Sequence, residues 1–329
     1  MLKLSVIIPV YNVEKYIAKC LDSVVCCDGA DYEIIVVNDG STDSSGRLAE
    51  AYAEKYPQLV RVISTPNRGL GPARNLGIAQ AQGEYVFCID SDDYLIEGGM
   101  RAILDTVERG SDIVLFDAVS VREDGSELWY IPGSKRTERL TLDEYPGLLL
   151  EIPNVWNKVV RRSLYTDNGI EFPAIWFEDL ATMLRLYSFA RSVEYLPEPL
   201  YRYVQRPQSI TNSKKTARNA EIITALDELI GFYRERGEYD RLHDELEYLA
   251  FHSQFLTASI RVNLADRRSP LQDRLIDDYV TKFPDYEDNP YLRTMPLRHR
   301  LLAKLLKKRR YLAVHLLMKL NNVLKRKNL

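Results

Sequence analysis

Between residues 1 and 120 the apolar positions follow two alternating rhythms. Continuous runs rich in Val and Ile occupy 3–10, 33–38, 59–64, 84–90 and 112–118, and each is predicted to form a buried strand. Between them, over 13–25, 44–55, 72–81 and 99–108, apolar residues recur at helical spacing. Strands that alternate with helices imply a mostly parallel sheet flanked by helices, an α/β fold. Residues 120–132 read as a hairpin turning at Glu123-Asp124-Gly125, and 141–204 mix short helices with a strand near 193–196. From 214 to 261 the pattern is helical, with Ile222, Ala225, Leu226, Leu229 and Phe232 on one face. The predicted division is an α/β domain over 1–212 and a helical C-terminal region over 213–329, and the stretch 283–296, with its three prolines, is the linker candidate.

Charge changes this picture at one end. Residues 289–329 hold 12 Lys or Arg and no Asp or Glu, whereas the preceding chain carries a formal charge of −15 beneath an overall −3. Within 297–329, Leu302, Leu305, Leu306, Ala313, Leu316, Leu317, Leu320 and Leu324 recur at helical spacing beside the basic residues. Such a helix suits an anionic membrane surface, or equally a solvated helix packed on an acidic body. Nucleic acid is disfavoured, because only Tyr311 interleaves with the basic residues.

Cys20, Cys26, Cys27 and Cys88 form no Cys-x-x-Cys pair and no cluster with His, so they read as core side chains in a reducing compartment. No apolar run approaches the roughly 18 residues of a membrane span. The apolar start ends at Val10 without a small-residue cleavage site. The expected location is the cytoplasm, peripheral to the inner face of the plasma membrane if the basic tail docks there.

In an open parallel sheet, ligands bind beyond the carboxyl ends of the strands, so the residues that terminate each strand carry the chemistry. The first strand runs into Pro9-Val10-Tyr11-Asn12, the second into Asn38-Asp39-Gly40-Ser41-Thr42-Asp43, and the fourth into Asp90-Ser91-Asp92-Asp93. Asp43 reads as a helix cap, whereas Asp39 can accept the ring N–H of a pyrimidine. Three carboxylates within four residues repel one another, which a fold tolerates best with a cation present. Their hard oxygen ligands suit Mn²⁺ or Mg²⁺ shared with substrate phosphates. A calcium loop beginning at Asp90 is excluded, since its sixth and twelfth positions are Leu95 and Arg101.

The segment Asn67-Arg68-Gly69-Leu70-Gly71-Pro72-Ala73-Arg74-Asn75 has the composition of a phosphate loop opening a helix, with Arg68 and Arg74 placed to neutralise phosphate or base oxygens. Arg74 stands where a dinucleotide fingerprint needs its third Gly, which disfavours a nicotinamide enzyme. Further on, Trp176-Phe177-Glu178-Asp179-Leu180 sets two acids in an apolar context before a helix. Either acid can complement the helix dipole, and desolvation can raise either towards the range of a general base.

Taken together and in this order, these motifs resemble those of the inverting family 2 glycosyltransferases of bacterial cell-surface polysaccharide type, over about the first 210 residues. The resemblance implies a GT-A fold, Rossmann-like, and a metal-dependent transfer from a nucleotide-sugar, a UDP-sugar, to a hydroxyl of a glycan or lipid-linked glycan. Asp39 would hold the uracil, with Pro9 and Tyr11 shaping the nucleoside pocket beside Asn12. Asp90 would sit near the ribose and the metal's water shell, Asp92 would ligate the metal, and Asp179, beside Glu178, would deprotonate the acceptor. Arg206-Pro207-Gln208-Ser209 matches the family's diphosphate loop, with Arg206 and Ser209 its contacts, and Trp156-Asn157-Lys158 matches a segment lining the acceptor side. Two alternatives remain: a sugar-1-phosphate nucleotidylyltransferase, which would need a basic Gly-rich loop where Tyr11-Asn12-Val13 stands, and a non-catalytic carbohydrate-binding scaffold.

Overall fold

The computed structural model describes residues 2–26, 31–134, 136, 138–206 and 216–327, with backbone alone at 216 and 321–327. The chain separates into two compact units, Met1–Ser209 and Ile210–Leu329.

In the first unit the elements follow as β1 (Leu4–Val10), α1 (Ile17–Val24), β2 (Tyr32–Asp39), α2 (Ser45–Lys55), β3 (Val60–Thr65), α3 (Leu70–Gln80), β4 (Tyr85–Cys88), β5 (Tyr94–Leu95), α4 (Gly99–Val107), β6 (Ile113–Arg122), β7 (Glu127–Ile131), β8 (Lys158–Arg161), α5 (Ser163–Thr166), α6 (Glu178–Leu186) and β9 (Val193–Gln205). The strands form one mixed sheet in the order β3-β2-β1-β4-β8-β6-β9-β5, with β7 beside β6. β1 runs parallel to both β2 and β4, and β2 runs parallel to β3. Every β1 side chain is buried, as expected of a strand covered on both faces. Because Val10 aligns with Asn38 and Ile7 with Cys88, the chain leaves β1, β2 and β4 along the same edge.

Two predicted elements differ from the structure. The strand near 193–196 extends to Gln205, because β9 continues past Pro197 and Pro199 through a register shift opposite Asp117. Proline cannot donate to a ladder, and a bulge absorbs it. The helix predicted from 13 begins only at Ile17, since Val13 and Glu14 donate their backbone N–H groups to Ser45 and Asp43 instead.

The second unit is helical: α7 (Glu221–Glu235), α8 (His243–Ala250), a π-helical turn (Phe251–Ala258) running on into α9 (Ser259–Ala265), α10 (Leu271–Lys282), α11 (Pro290–Arg293), α12 (Leu297–Lys307) and α13 (Tyr311–Lys327). The predicted linker 283–296 is packed chain. Phe283, Tyr286 and Met295 are buried, and Phe251, Phe255, Tyr279 and Tyr286 form an aromatic cluster. Pro290 opens α11 and Pro296 precedes α12, so these prolines start helices rather than break a domain. Leu302, Leu306 and Val314 face the core of this unit, whereas Leu312, Leu316, Leu317 and Leu320 are exposed. Among the described residues no helix is long and apolar enough to cross a membrane.

Candidate active site

At the carboxyl end of β2, Asp39 is buried, and its two oxygens accept the backbone N–H groups of Arg68 and Gly69, each at 2.8 Å. The loop expected to cradle phosphate is therefore held by a carboxylate of the protein, which takes the anion-binding amides ahead of α3. Gly40, with φ +71, passes so close to Asn67 that a Cβ there would lie 2.7 Å from its backbone nitrogen. Asn12, at φ 51, accepts from the Thr42 amide at 2.8 Å and so fastens the β1 loop to the β2 loop. Asp43 accepts from the Ser45 amide at 2.9 Å and from the Glu14 amide at 3.1 Å, a turn one residue ahead of Ser44, which takes the cap position of α2 expected for Asp43. Pro9 is buried within β1, Tyr11 is half exposed, and the Arg68 side chain is exposed with no ion pair among the described residues.

The acidic cluster after β4 is divided among separate partners. Asp90 accepts from Arg74 at 2.8 Å, Asp92 is ion-paired to Arg206, and Asp93, fully enclosed, accepts from Tyr201 and from the Val204 amide, each at 2.7 Å. Burial pushes the Asp92 carboxyl above its ordinary value, while Arg206 opposes the shift and Asp90 adds to it. The Arg206 guanidinium also lies 5.6 Å from the Tyr16 ring, and Tyr16 donates to Glu123. Cation-like neutralisation of the cluster thus comes from two guanidiniums, a role that the expectation had given wholly to a metal.

Arg74 departs from its expected place on a phosphate. It is 2% exposed, and its second arm donates to Glu178 at 2.6 Å, so one guanidinium joins the end of β4 to the start of α6. Its Nε finds no partner among the described residues. Close approach of α3 to the segment before α6 makes this reach possible. Gly71 leaves no room for a Cβ, which would fall 2.3 Å from the Pro173 carbonyl oxygen, and Asn75 brackets Phe172 with two hydrogen bonds of 2.8 Å.

Phe177 precedes α6 at φ 67, an uncommon conformation for a bulky residue and one concentrated at functional sites. It aims Glu178 and Asp179 from the first helical turn. Asp179 keeps part of its surface open yet is crowded by protein, and burial followed by the Glu178 charge pushes its carboxyl up to about 7, against the lowering effect of Arg74. Lys158 is buried and donates to the carbonyls of Ile152 and Asn154 and to Asn157 Oδ1, at 2.7, 2.6 and 2.8 Å. Burial draws this ammonium down to about 7, with Asp179 as the leading opposing charge. Three acceptors match the three donors of the charged form, whereas a neutral amine has two. Trp156, expected on the acceptor side, is buried and stacks on Tyr201 and Tyr203 at 4.6 and 5.4 Å. Ser209 lies outside the described residues.

Three of the expected carboxylates, Asp39, Asp90 and Glu178, are thereby linked through one continuous set of contacts by way of the 67–75 loop and Arg74, and Asp92 and Asp179 neighbour Asp90 and Glu178 in the chain. The oxygens of Asp90 and Asp92 are hard donors two residues apart on one short loop, the ligand type a divalent cation takes, and in this structure they are held by Arg74 and Arg206. Sequence reasoning missed Phe177, Tyr16, Asn75 and Tyr201. Only Asn75 had a signal, as the amide closing the Gly-rich motif.

The sequence model of the family described as Glycosyl transferase family 2 matches residues 5–175. The EpsH protein of Bacillus subtilis strain 168 is 32% identical over 257 residues, spanning 76% of this chain and 74% of that one. The poly(ribitol-phosphate) beta-N-acetylglucosaminyltransferase TarS of Staphylococcus aureus strain MW2 is 29% identical over 320 residues, 92% of this chain and 54% of TarS. A crystal structure of S. aureus TarS 1-349 in complex with UDP superposes with a TM-score of 0.54 at 25% identity, covering 87% of this chain and 91% of that one.

Proposed function

This chain belongs to glycosyl transferase family 2 and is a glycosyltransferase acting on a nucleotide-sugar, and from that premise we propose that it transfers a sugar from a UDP-sugar to a hydroxyl of a cell-envelope or lipid-linked glycan, inverting the anomeric carbon. The observation that carries this reading is the Arg74 bridge, which brings the carboxylates after β4 beside the acid pair that opens α6. Similarity to a protein crystallised with UDP supports the uridine donor.

In this reading Asp179 accepts the proton of the acceptor hydroxyl, for which a carboxyl raised by burial is suited. The hydroxyl oxygen then bonds to the anomeric carbon as the bond to the diphosphate breaks, and the nucleoside diphosphate departs with that electron pair. Arg68 and, once released from Asp92, Arg206 stabilise the leaving charge. Asp39 shapes the nucleoside side by fixing the 67–69 turn, with Tyr11 at its rim. Asp90 and Asp92 would hold Mn²⁺ or Mg²⁺, which supplies Lewis-acid stabilisation of the diphosphate when bound. The basic segment 297–329 docks on an anionic membrane surface, which keeps the enzyme at the membrane that carries a lipid-linked acceptor.

A donor screen with Mn²⁺ tests the reading by following release of nucleoside diphosphate. UDP release from one UDP-sugar, lost in Asp179→Asn with donor binding retained, is the expected result. Release of inorganic pyrophosphate from a sugar 1-phosphate and UTP would establish the nucleotidylyltransferase instead.

A further inference from the structure

Four arginines of the second unit line one open cleft of about 550 Å³, together with Leu312 and Leu316. Arg267 and Arg268 come from the turn after α9, and Arg309 and Arg310 from the turn between α12 and α13. The two turns are fastened to each other: Asn263 donates to the Tyr311 carbonyl at 3.1 Å, and His315 lies 3.2 Å from the Asn263 carbonyl. Arg309 is the structural member of the group, at φ 54 and ion-paired to Asp273 and Asp277. Arg267, Arg268 and Arg310 make no ion pair among the described residues.

Arg267, Arg268 and Arg310, without a carboxylate partner among the described residues and around a cleft whose lining holds no acid, repel one another unless an anion sits among them, and their planar forks suit phosphate oxygens. Leu312 and Leu316, with Leu317 and Leu320 beyond them on α13, are exposed next to this charge. A ligand with a phosphate and an adjoining hydrocarbon chain matches both halves. We propose that the cleft is a headgroup site for the phosphodiester of an anionic membrane lipid, with the exposed leucines of α13 entering the acyl region. This inference rests on the membrane-surface reading of 297–329, and adds to it a defined pocket in place of diffuse attraction.

The test sediments the full chain with phosphatidylcholine vesicles, with and without phosphatidylglycerol. The triple variant Arg267→Gln, Arg268→Gln, Arg310→Gln is expected to lose at least about tenfold in partitioning to the anionic vesicles. Arg300→Gln, Lys304→Gln, Lys308→Gln, which removes the same charge from α12 and its end, is expected to lose far less. Equal losses in the two triples would overturn the pocket while leaving surface attraction intact, and no binding by the unaltered chain to anionic vesicles would overturn both. Because the altered arginines could also unsettle the fold, dihexanoyl phosphatidylglycerol and inorganic phosphate are compared as competitors on the unaltered chain. Displacement by the short lipid at concentrations where phosphate fails supports the proposal, and equal displacement by phosphate assigns the cleft to a free anion and overturns it.

Discussion

Nη2 of Arg74 lies 2.8 Å from Oδ1 of Asp90, and Asp90 stands two residues past the end of β4, the strand that is parallel to and beside β1. The other arm of the guanidinium holds Glu178. A single buried side chain from α3 thus sets the spacing between the acids after β4 and those that begin α6. Burial costs the guanidinium its water, and the two carboxylates offset that loss by holding it charged.

Replacing Arg74 by Lys keeps the charge but not the fork, because a compact ammonium cannot reach both carboxylates with paired donors. Arg74→Lys is expected to lower unfolding free energy by about 2–4 kcal/mol, somewhat less than the roughly 3–5 kcal/mol of removing a buried partner outright, because the charge remains. Turnover should fall more than donor affinity, since the spacing between Asp90 and Asp179 is what relaxes. Urea unfolding and steady-state kinetics check this, and a variant matching the parent in both would show that the bridge does not set the site.

Arg206 occupies Asp92, the carboxylate assigned to the metal. Removing it in Arg206→Ala leaves Asp92 without its counter-charge, so a divalent cation no longer has to displace a guanidinium. Mn²⁺ should bind more tightly to the variant while transfer slows, because the same arginine is lost to the departing diphosphate. Calorimetric titration of Mn²⁺ separates the two effects. Weaker Mn²⁺ binding in Arg206→Ala would mean that Asp92 is not the ligand.

The strands β1 to β4 were legible because unbroken β-branched runs such as Val6-Ile7-Ile8 have no other stable place than a covered sheet. The carboxylates of the site were legible because they end those strands. Their partners were not. Arg74 and Arg206 lie in sequence contexts that equally fit phosphate ligands, and only the approach of Gly71 to Pro173 reveals that Arg74 turns inward. For Trp156-Asn157-Lys158, which the resemblance put on the acceptor side, the local contacts were likewise not legible: Trp156 stacks on Tyr201 and Lys158 donates to the Ile152 carbonyl. Pro290 and Pro296 read as breaks because composition cannot distinguish a helix start from a linker.

Asp39 presents both oxygens to backbone N–H groups, which separates two roles for it. In Asp39→Asn one oxygen becomes an amide NH₂ facing a donor, an arrangement expected to cost about 1–3 kcal/mol of stability. If Asp39 works by shaping the 67–69 turn, Asp39→Asn and Asp39→Ala should weaken UDP and other nucleoside diphosphates alike. A loss confined to uridine nucleotides would instead make it a direct contact to the base. Competition binding with UDP, GDP and ADP distinguishes the two.

Asp179 supplies a pH dependence whose sign follows from its environment. Burial and Glu178 raise its carboxyl to about 7, so below that pH the group is protonated and cannot accept the acceptor's proton. The profile of kcat/KM should rise with unit slope up to about pH 7 and then level, and Asp179→Asn should abolish the rising limb along with most of the turnover. The same shift acts oppositely on stability. A carboxyl whose folded pKa exceeds its unfolded value binds more protons in the folded state, so its contribution is fully present below the unfolded pKa and is lost as pH climbs through about 7. Urea midpoints measured across pH 4 to 8 should therefore drop more steeply for the parent than for Asp179→Asn, where no proton is released. Parallel curves for the two proteins, together with a flat activity profile, would remove Asp179 from the role of base.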